Sequence, residues 1–464
     1  MLHCLNAMLI FWIIAFLFRA DGCGLKSTKE WQSIIAAGMA ALIWAIQPIR
    51  VEPVAWATGR IYPQSTFFFL ISVLCYLLAV SRGDKCVWKS ITYWMSVLTF
   101  AASLCTHQIA LTAVGIYCVL DIYPLRRFRE SSARYWGRGA ISIWLEKLPY
   151  VAITVAVGLI TWWARLNATG IWEPPPTWDE FPLSVRVMQA FYVIAHYVLK
   201  PWDIDGYSPV YTTLENFDPL SAKFVLSGAF VVAMTALAFA ARRRYPLVTA
   251  VWVGHLLLIL PVTGFAEYPH FPVDRYAYLD GIVWAVLAGG AFLMLLANAQ
   301  ALPSIAVLGS CAFAVIFVYG MQTYRQAGIW LNGEKFFTHI LAQLGSHRHR
   351  WDIHWRLANY FLDEKRYSEA VEHANASLSI HPRHGFSLKI RADALMGIGE
   401  QFALQDGSAE AATAFAEAGR TLRALLKYEI SPELVEKAGI AYVRAGQFDE
   451  AESIFRNGIL RFPD

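Results

Sequence analysis

The stretch VEPVAWATGR, residues 51–60, sets a carboxylate (Glu52) and a guanidinium (Arg60) between two long apolar runs. In a chain that is 57% hydrophobic and only 16% charged, side chains of this kind are scarce. A charge at a bilayer centre costs roughly 2.5–3.5 kcal/mol on insertion scales. Both residues are therefore expected at a membrane surface, where a carboxylate can exchange a proton and a guanidinium can hold an anion. Other reactive types offer less. The seven cysteines (4, 23, 75, 86, 105, 118 and 311) lie within or beside apolar runs and form no CxxC pair. They read as small membrane-core side chains rather than disulfide or metal partners. HRHRW, 347–351, has no second ligand cluster beside it and reads as solvated linker, so no metal is expected. A net charge of +4, with no basic cluster interleaved with aromatics, excludes nucleic acid as a partner.

The elements that must position these residues are apolar runs at about 3–18, 32–49, 65–81, 91–105, 107–120, 148–164, 224–241, 247–264, 278–297 and 303–320. Each is read as a membrane span, about ten in all. Lysine and arginine collect on the cytoplasmic side of such proteins. RRFRESSARYWGRG (126–139) and RRR (242–244) are therefore placed there, with Arg19, Lys26, Lys29, Arg82, Lys85 and Lys89 on the same side. Segments 50–64, 165–223 and 265–277, and everything after 320, then fall outside. Met1 falls outside too, so the first run reads as though an earlier span preceded it. PPPTW (174–178) is rigid loop sequence, and SVRVMQAFYVIAHYVLKPW (184–202) reads as an interfacial or re-entrant helix. GYSPVYTTLENFDP (206–219) reads as an aromatic-rich external loop.

After about Tyr324 the sequence turns charged, alanine-rich and periodic. EKRYSEAVEHANASLSIHP (364–382) aligns with AGQFDEAESIFRNGILRFP (445–463), matching Tyr367 with Phe448, Ala370 with Ala451 and Pro382 with Pro463. The residue set is that of tetratricopeptide repeats, whose period is 34. The offset of 81 residues (463 − 382) is two periods plus 13 inserted residues, placed around FALQDGSAE in the middle repeat. The expected architecture is all-α: a polytopic helical membrane domain over 1–323, a linker or first helix over 324–350, and repeats over 351–384, 385–431 and 432–464. The concave face of such an array holds a peptide or partner protein.

IQPIRVEPVAWATGRIYPQSTFFFLISVLCYL (46–77) resembles the extracytoplasmic motif of TMTC-like proteins, the transmembrane-and-tetratricopeptide O-mannosyltransferases, and their bacterial relatives. Echoes follow in order: THQIALTAVGIYCVLDIYPLRR (106–127), YSPVY (207–211), DRYAYL (274–279), WLNGEKFF (330–337) and the repeats. The resemblance implies a GT-C-like glycosyltransferase fold. It also implies transfer of a mannose-type sugar from a polyprenyl-phosphate donor to a protein hydroxyl at the outer membrane face. No resident cofactor is implied; the lipid-linked sugar is substrate, and a protein or peptide acceptor is the partner. On this resemblance Glu52 and Asp274 are the candidate catalytic acids. Arg60, Lys200 and Arg275 are candidates for the donor phosphate, with Tyr211 and Tyr276 for the sugar. A purely structural arrangement would instead pair Glu52 with Arg60 and Asp274 with Arg275.

The family motif has histidines where this chain has Gln47 and Arg50, an aspartate at Tyr62, and Ser-Lys-Glu at Thr106-His107-Gln108. The resemblance also places a first external loop, carrying an acid, ahead of Met1. Two readings from different classes therefore stand. One is a glycosyltransferase in an outer-facing membrane, bacterial or endoplasmic-reticulum, with extracytoplasmic repeats. The other is a non-catalytic membrane scaffold whose repeats bind partner proteins.

Overall fold

The computed structural model describes residues 1–20, 28–82, 87–130, 135, 137–167, 177–203, 206–211, 218–265, 272–299, 301–405 and 407–462. Lys26, Lys85, the prolines at 174–176, the loop at 212–217 and Pro463 lie outside them. Among the described residues the regular structure is helical throughout. The chain forms two compact units, Met1–Ala327 and Gly328–Asp464.

The first unit contains α1 (Leu2–Arg19), α2 (Glu30–Ile46), α3 (Val51–Ala55), α4 (Ile61–Ser81), α5 (Ile91–Thr106), α6 (Val114–Ile122), α7 (Arg138–Leu145) and α8 (Leu148–Asn167). They are followed by α9 (Leu183–Leu199), α10 (Ala222–Ala241), α11 (Pro246–Ile259), α12 (Ala277–Asn298) and α13 (Leu302–Ile329). Six helical stretches are long and apolar enough to cross a membrane, and the bent pair α2 and Pro48–Ala55 makes a seventh. The ten apolar runs expected as spans all fall on helices, but α5, the Gln108–Ile122 stretch and the Pro246–Val262 stretch are shorter apolar helices. A 16-residue helix such as α5 rises only about 24 Å, short of a 30 Å hydrocarbon core. α9, expected at the interface, is a helix outside that set of candidate spans. The last apolar run does not stop at 320; it continues as one helix to Ile329.

Burial of apolar surface cannot drive one membrane helix against another in lipid, so small and polar residues do that work. The α4–α5 contact shows it. Ser65 Oγ donates to the Ser103 carbonyl at 3.0 Å, and Ser103 Oγ donates back to the Ser65 carbonyl at 2.8 Å. Ser72 and Ser96 repeat the exchange at 2.5 and 2.7 Å. The two rungs are one heptad apart on each helix (72 − 65 = 7; 103 − 96 = 7), the spacing that returns to one face. Elsewhere α13 leaves Val307, Phe313 and Phe317 exposed, as a lipid-facing helix does.

The second unit contains α14 (Gly333–Leu344), then the pairs α15 (Arg350–Asp363) and α16 (Tyr367–Ile380), α17 (Gly385–Leu404) and α18 (Ser408–Leu425), and α19 (Pro432–Arg444) and α20 (Phe448–Arg461). The middle pair runs 20 and 18 residues, against 14 and 14 for the first pair. Close approach within pairs rests on small side chains: Ala370 and Ala374 are fully buried. A Cβ at Gly439 would lie 2.1 Å from the Phe455 ring.

Gly439→Ala should therefore overpack the last pair and destabilise the second unit by about 1–3 kcal/mol, read as a lower thermal midpoint. The first pair carries a pH dependence. His354 and His373 meet Nδ1 to Nδ1 at 3.1 Å. Burial first, then His373 and Arg350, lower the His354 pKa to about 4. The unfolded chain, titrating near 6.5, then binds more protons than the folded one between pH 6.5 and 4. Stability is complete above that window and falls as pH drops through it. Hydrogen exchange of α15 and α16 should show more frequent opening at pH 5 than at pH 7, and His354→Leu should shrink the difference to the part carried by His373, whose pKa burial also lowers.

Candidate functional site

The motif stretch breaks α2 at Gln47, whose extended backbone (φ −71°, ψ 129°) precedes Pro48. A residue before proline is steered out of the helical region, so the chain turns here. It continues as a 3-10 turn Pro48–Arg50, α3, a second turn Ala57–Arg60, and then α4. Across from it, the 3-10 turn Asp274–Tyr276 opens α12. Residues 200–203, which leave the end of α9, and 206–211 supply the third part.

Glu52 joins the first two. Its Oε2 accepts the Arg275 backbone N–H at 2.8 Å, and its Oε1 accepts Arg275 Nη1 at 2.5 Å. Backbone donors at the start of a helical turn have no partner within the turn, so a carboxylate from another segment caps this one. The Glu52 side chain is 2% exposed and that of Arg275 22%. Arg275 Nε also donates to the Tyr62 hydroxyl at 3.2 Å, and its guanidinium lies 5.3 Å from the Trp56 ring and 5.5 Å from the Tyr276 ring.

Asp274 belongs to the third segment. The Tyr211 hydroxyl donates to its Oδ1 at 2.6 Å and receives the Ser208 backbone N–H at 3.0 Å. Burial and the adjoining Asp274 carboxylate push the Tyr211 pKa upward, so the phenol stays protonated and donates. One residue earlier, Val273 is held at both its N–H and its carbonyl by the Tyr197 hydroxyl, at 3.0 and 2.8 Å.

Beside Tyr211 lies a cleft of about 600 Å³ between α9 and α10, lined by His196, Lys200, Asp203, Tyr211, Lys223 and Ser227 among others. Lys200 Nζ reaches Asp203 Oδ2 at 2.8 Å and the Gly206 carbonyl at 2.5 Å, below the Tyr211 ring. Burial first, then Lys200 and Lys223, lower the His196 pKa to about 3. Its buried Nε2 has no hydrogen-bond partner among the described residues. Among the described residues two lysines and one aspartate line the cleft.

The sequence-derived candidates thus fall into two touching groups: Glu52, Arg275 and Tyr276, and Asp274, Tyr211 and Lys200. Arg60 joins neither. It is exposed on its turn and makes no hydrogen bond or ion pair among the described residues. The partners are also sorted differently from the structural pairing considered above. Glu52 goes to Arg275 rather than Arg60, and Asp274 goes to Tyr211. Sequence reading missed Tyr62, Tyr197, His196 and Lys223. Only Tyr62 carried a signal, as a departure from a motif.

Comparisons with known proteins bear on the same residues. The chain is 23% identical over 76% of its length to human protein O-mannosyl-transferase TMTC1, covering 43% of that protein. It is 22% identical over 92% of its length to mouse TMTC3, covering 48% of it, and 23% identical over 73% to human TMTC4, also covering 48%. The chain is TMTC-like. It is a multi-pass membrane protein and spans a little under half the length of these curated relatives. No protein-family model and no solved structure matches it.

Four of the positions at which this TMTC-like chain departs from the family motif meet in pairs. Gln47 and Arg50, in place of the two histidines, hydrogen-bond to each other. Tyr62 and His107, at two further departures, pack with ring centroids 4.5 Å apart and planes tilted by 44°, and the Tyr62 hydroxyl also accepts Arg275 Nε.

Breaking a buried ion pair from one side strands the other charge, at a cost on the order of 3 kcal/mol. Glu52→Gln should therefore lower the thermal midpoint of the detergent-solubilised protein by several degrees. Glu52→Gln combined with Arg275→Gln should lower it by less than the sum of the two single changes. Additive losses would show that the pair is not energetically coupled.

Proposed function

We propose that this chain is an integral membrane glycosyltransferase that moves a mannose-type sugar from a polyprenyl-phosphate donor to a hydroxyl of a protein acceptor at the extracytoplasmic face. The reading is supported by the relatives named as protein O-mannosyl-transferases and by one geometric observation. A carboxylate–phenol pair, Asp274–Tyr211, adjoins a lysine-lined cleft at the end of the bundle where α12 begins.

In this reading the cleft takes the donor phosphate on Lys200 and Lys223, with His196 Nε2 as a further polar contact. Positive groups at the leaving phosphate stabilise the charge that develops as the glycosidic bond breaks. Asp274 accepts the proton of the acceptor hydroxyl as oxygen attacks the anomeric carbon, and Tyr211 orients the carboxylate. Glu52 spends both oxygens on Arg275, so it is a positioning residue: it fixes the turn that carries Asp274. Arg275 Nη2 makes no hydrogen bond among the described residues and remains available to a ligand oxygen. Tyr276 and Trp56 offer aromatic faces beside it. The tetratricopeptide-type repeats would dock the acceptor protein outside the membrane.

A second reading has its own observation. Glu52 and Asp274 are both 2% exposed and both already hydrogen-bonded, as in a structural lock. A non-catalytic scaffold whose repeats bind partner proteins would look like this as well.

Reconstituted protein given polyprenyl-phosphate mannose and serine/threonine-rich protein acceptors separates the two. Asp274→Asn should reduce transfer on the order of 10²-fold or more while the thermal midpoint stays within a few degrees. Lys223→Gln should act mainly on KM for the donor. Transfer that survives Asp274→Asn undiminished would remove Asp274 from the mechanism, and no transfer by the unmodified protein would favour the scaffold.

A further inference from the structure

The opposite end of the membrane unit carries a second arrangement, which the proposed transfer does not use. There α6 ends, α10 turns into α11, and two adjacent arginines part company. Arg127 turns inward: Nη1 meets Glu146 Oε2 at 2.6 Å and Asp121 Oδ1 at 3.3 Å, and Nη2 meets Glu146 Oε1 at 3.0 Å. Lys147 completes that cluster at 2.6 Å from Asp121 Oδ2, so two cations meet two anions. Arg126, at φ 51°, turns the other way. It lines a cleft of about 250 Å³ with Arg242 and Arg243. Arg242 Nη1 donates to the Phe239 carbonyl at 2.7 Å. Among the described residues no carboxylate lines this cleft, and Arg126 and Arg243 make no ion pair.

A second cavity, of about 230 Å³, runs from this cleft into the bundle among α1, α4, α6, α11 and α12. The two share Tyr123 and Pro246. Its walls are aliphatic, with Ile13, Val73, Leu120 and Leu287 on four of the helices, and Arg244 lies at its edge. Three guanidiniums with no carboxylate beside them among the described residues, at the mouth of an apolar cavity, are complementary to one kind of molecule, an anion with a hydrocarbon tail. Arginine favours phosphate because its planar fork of donors matches phosphate oxygens.

The geometry points to a binding site for an anionic phospholipid, its phosphate on Arg126, Arg242 and Arg243 and one acyl chain in the cavity behind Tyr123. The general preference of cytoplasmic loops for arginine requires charge alone. It does not require an apolar cavity that opens onto the same side chains.

The full chain, in nanodiscs of phosphatidylcholine with a small fraction of phosphatidylglycerol, is released into the gas phase and its retained lipids are weighed. Phosphatidylglycerol should be retained at least tenfold above its share of the bilayer. Arg126→Gln with Arg243→Gln should abolish that excess, and so should Ala250→Phe, which fills the cavity and leaves the arginines in place. Arg82→Gln, which removes a loop charge that lines neither space, should leave it intact. The thermal midpoint in pure phosphatidylcholine identifies any variant that has misfolded; the arginine pair and the lipid series decide without the cavity variant if that one fails. Loss of the excess in Arg82→Gln to the same extent, its survival in the arginine pair, or its displacement by soluble glycerol phosphate would each overturn the assignment.

Discussion

Both oxygens of one carboxylate, Glu52, are committed to one arginine, and the end of the membrane unit where α12 begins depends on that grip. The backbone half of the contact caps the turn that starts α12, and the side-chain half neutralises a guanidinium set among aromatic rings. Together they fix the position of Asp274, the neighbouring residue, without touching its carboxylate. Asp274 is consequently left to Tyr211, and Tyr211 to the cleft beside α10. A chain of three segments distant in sequence becomes one site through two hydrogen-bonded carboxylates.

The same economy governs the bundle interior. A polar group buried in apolar surroundings is costly unless it is paired. Serine rungs join α4 to α5; Asp121, Glu146, Arg127 and Lys147 neutralise one another; His255 Nδ1 lies 2.8 Å from Asp280. Each of these groups bonds across helices, so each also fixes a register that apolar packing in lipid would leave loose. The cleft below α6 differs, since its arginines face no carboxylate among the described residues.

Helix class and membrane character were legible in the sequence because both follow from local statistics, the length of apolar runs and the scarcity of charge. The ten runs therefore landed on helices, while their capacity to span did not follow: α5 and α11 are cut short by His107 and Pro261, within runs that remain apolar overall. Glu52, Asp274, Lys200, Tyr211, Arg275 and Tyr276 could be named from short motifs. Their pairing could not, since Glu52 and Arg275 are 223 residues apart and nothing local prefers Arg275 to Arg60. His196 and Lys223 were hidden for another reason. Each sits in or beside an apolar run with no motif around it, and only the packing of α9 on α10 turns them toward a common space.

The departures from the family motif show that the site is adjusted as a unit. A histidine replaced by arginine adds a long, permanently charged side chain to a buried position, since Arg50 is 2% exposed. Room for it comes from Gly281 on α12, where a Cβ would lie 1.7 Å from Arg50 Nη2. A hydrogen-bond acceptor comes from Gln47, the other substituted histidine position, and an aromatic face from Trp44 at 5.0 Å. The second pair of departures, Tyr62 and His107, packs ring against tilted ring beside Arg275 and supplies the hydroxyl that its Nε uses. Read singly, each replacement removes a motif residue. In three dimensions they supply one another's partners around the Glu52–Arg275 contact, so the packing of this end of the unit survives the loss of the motif that announced it.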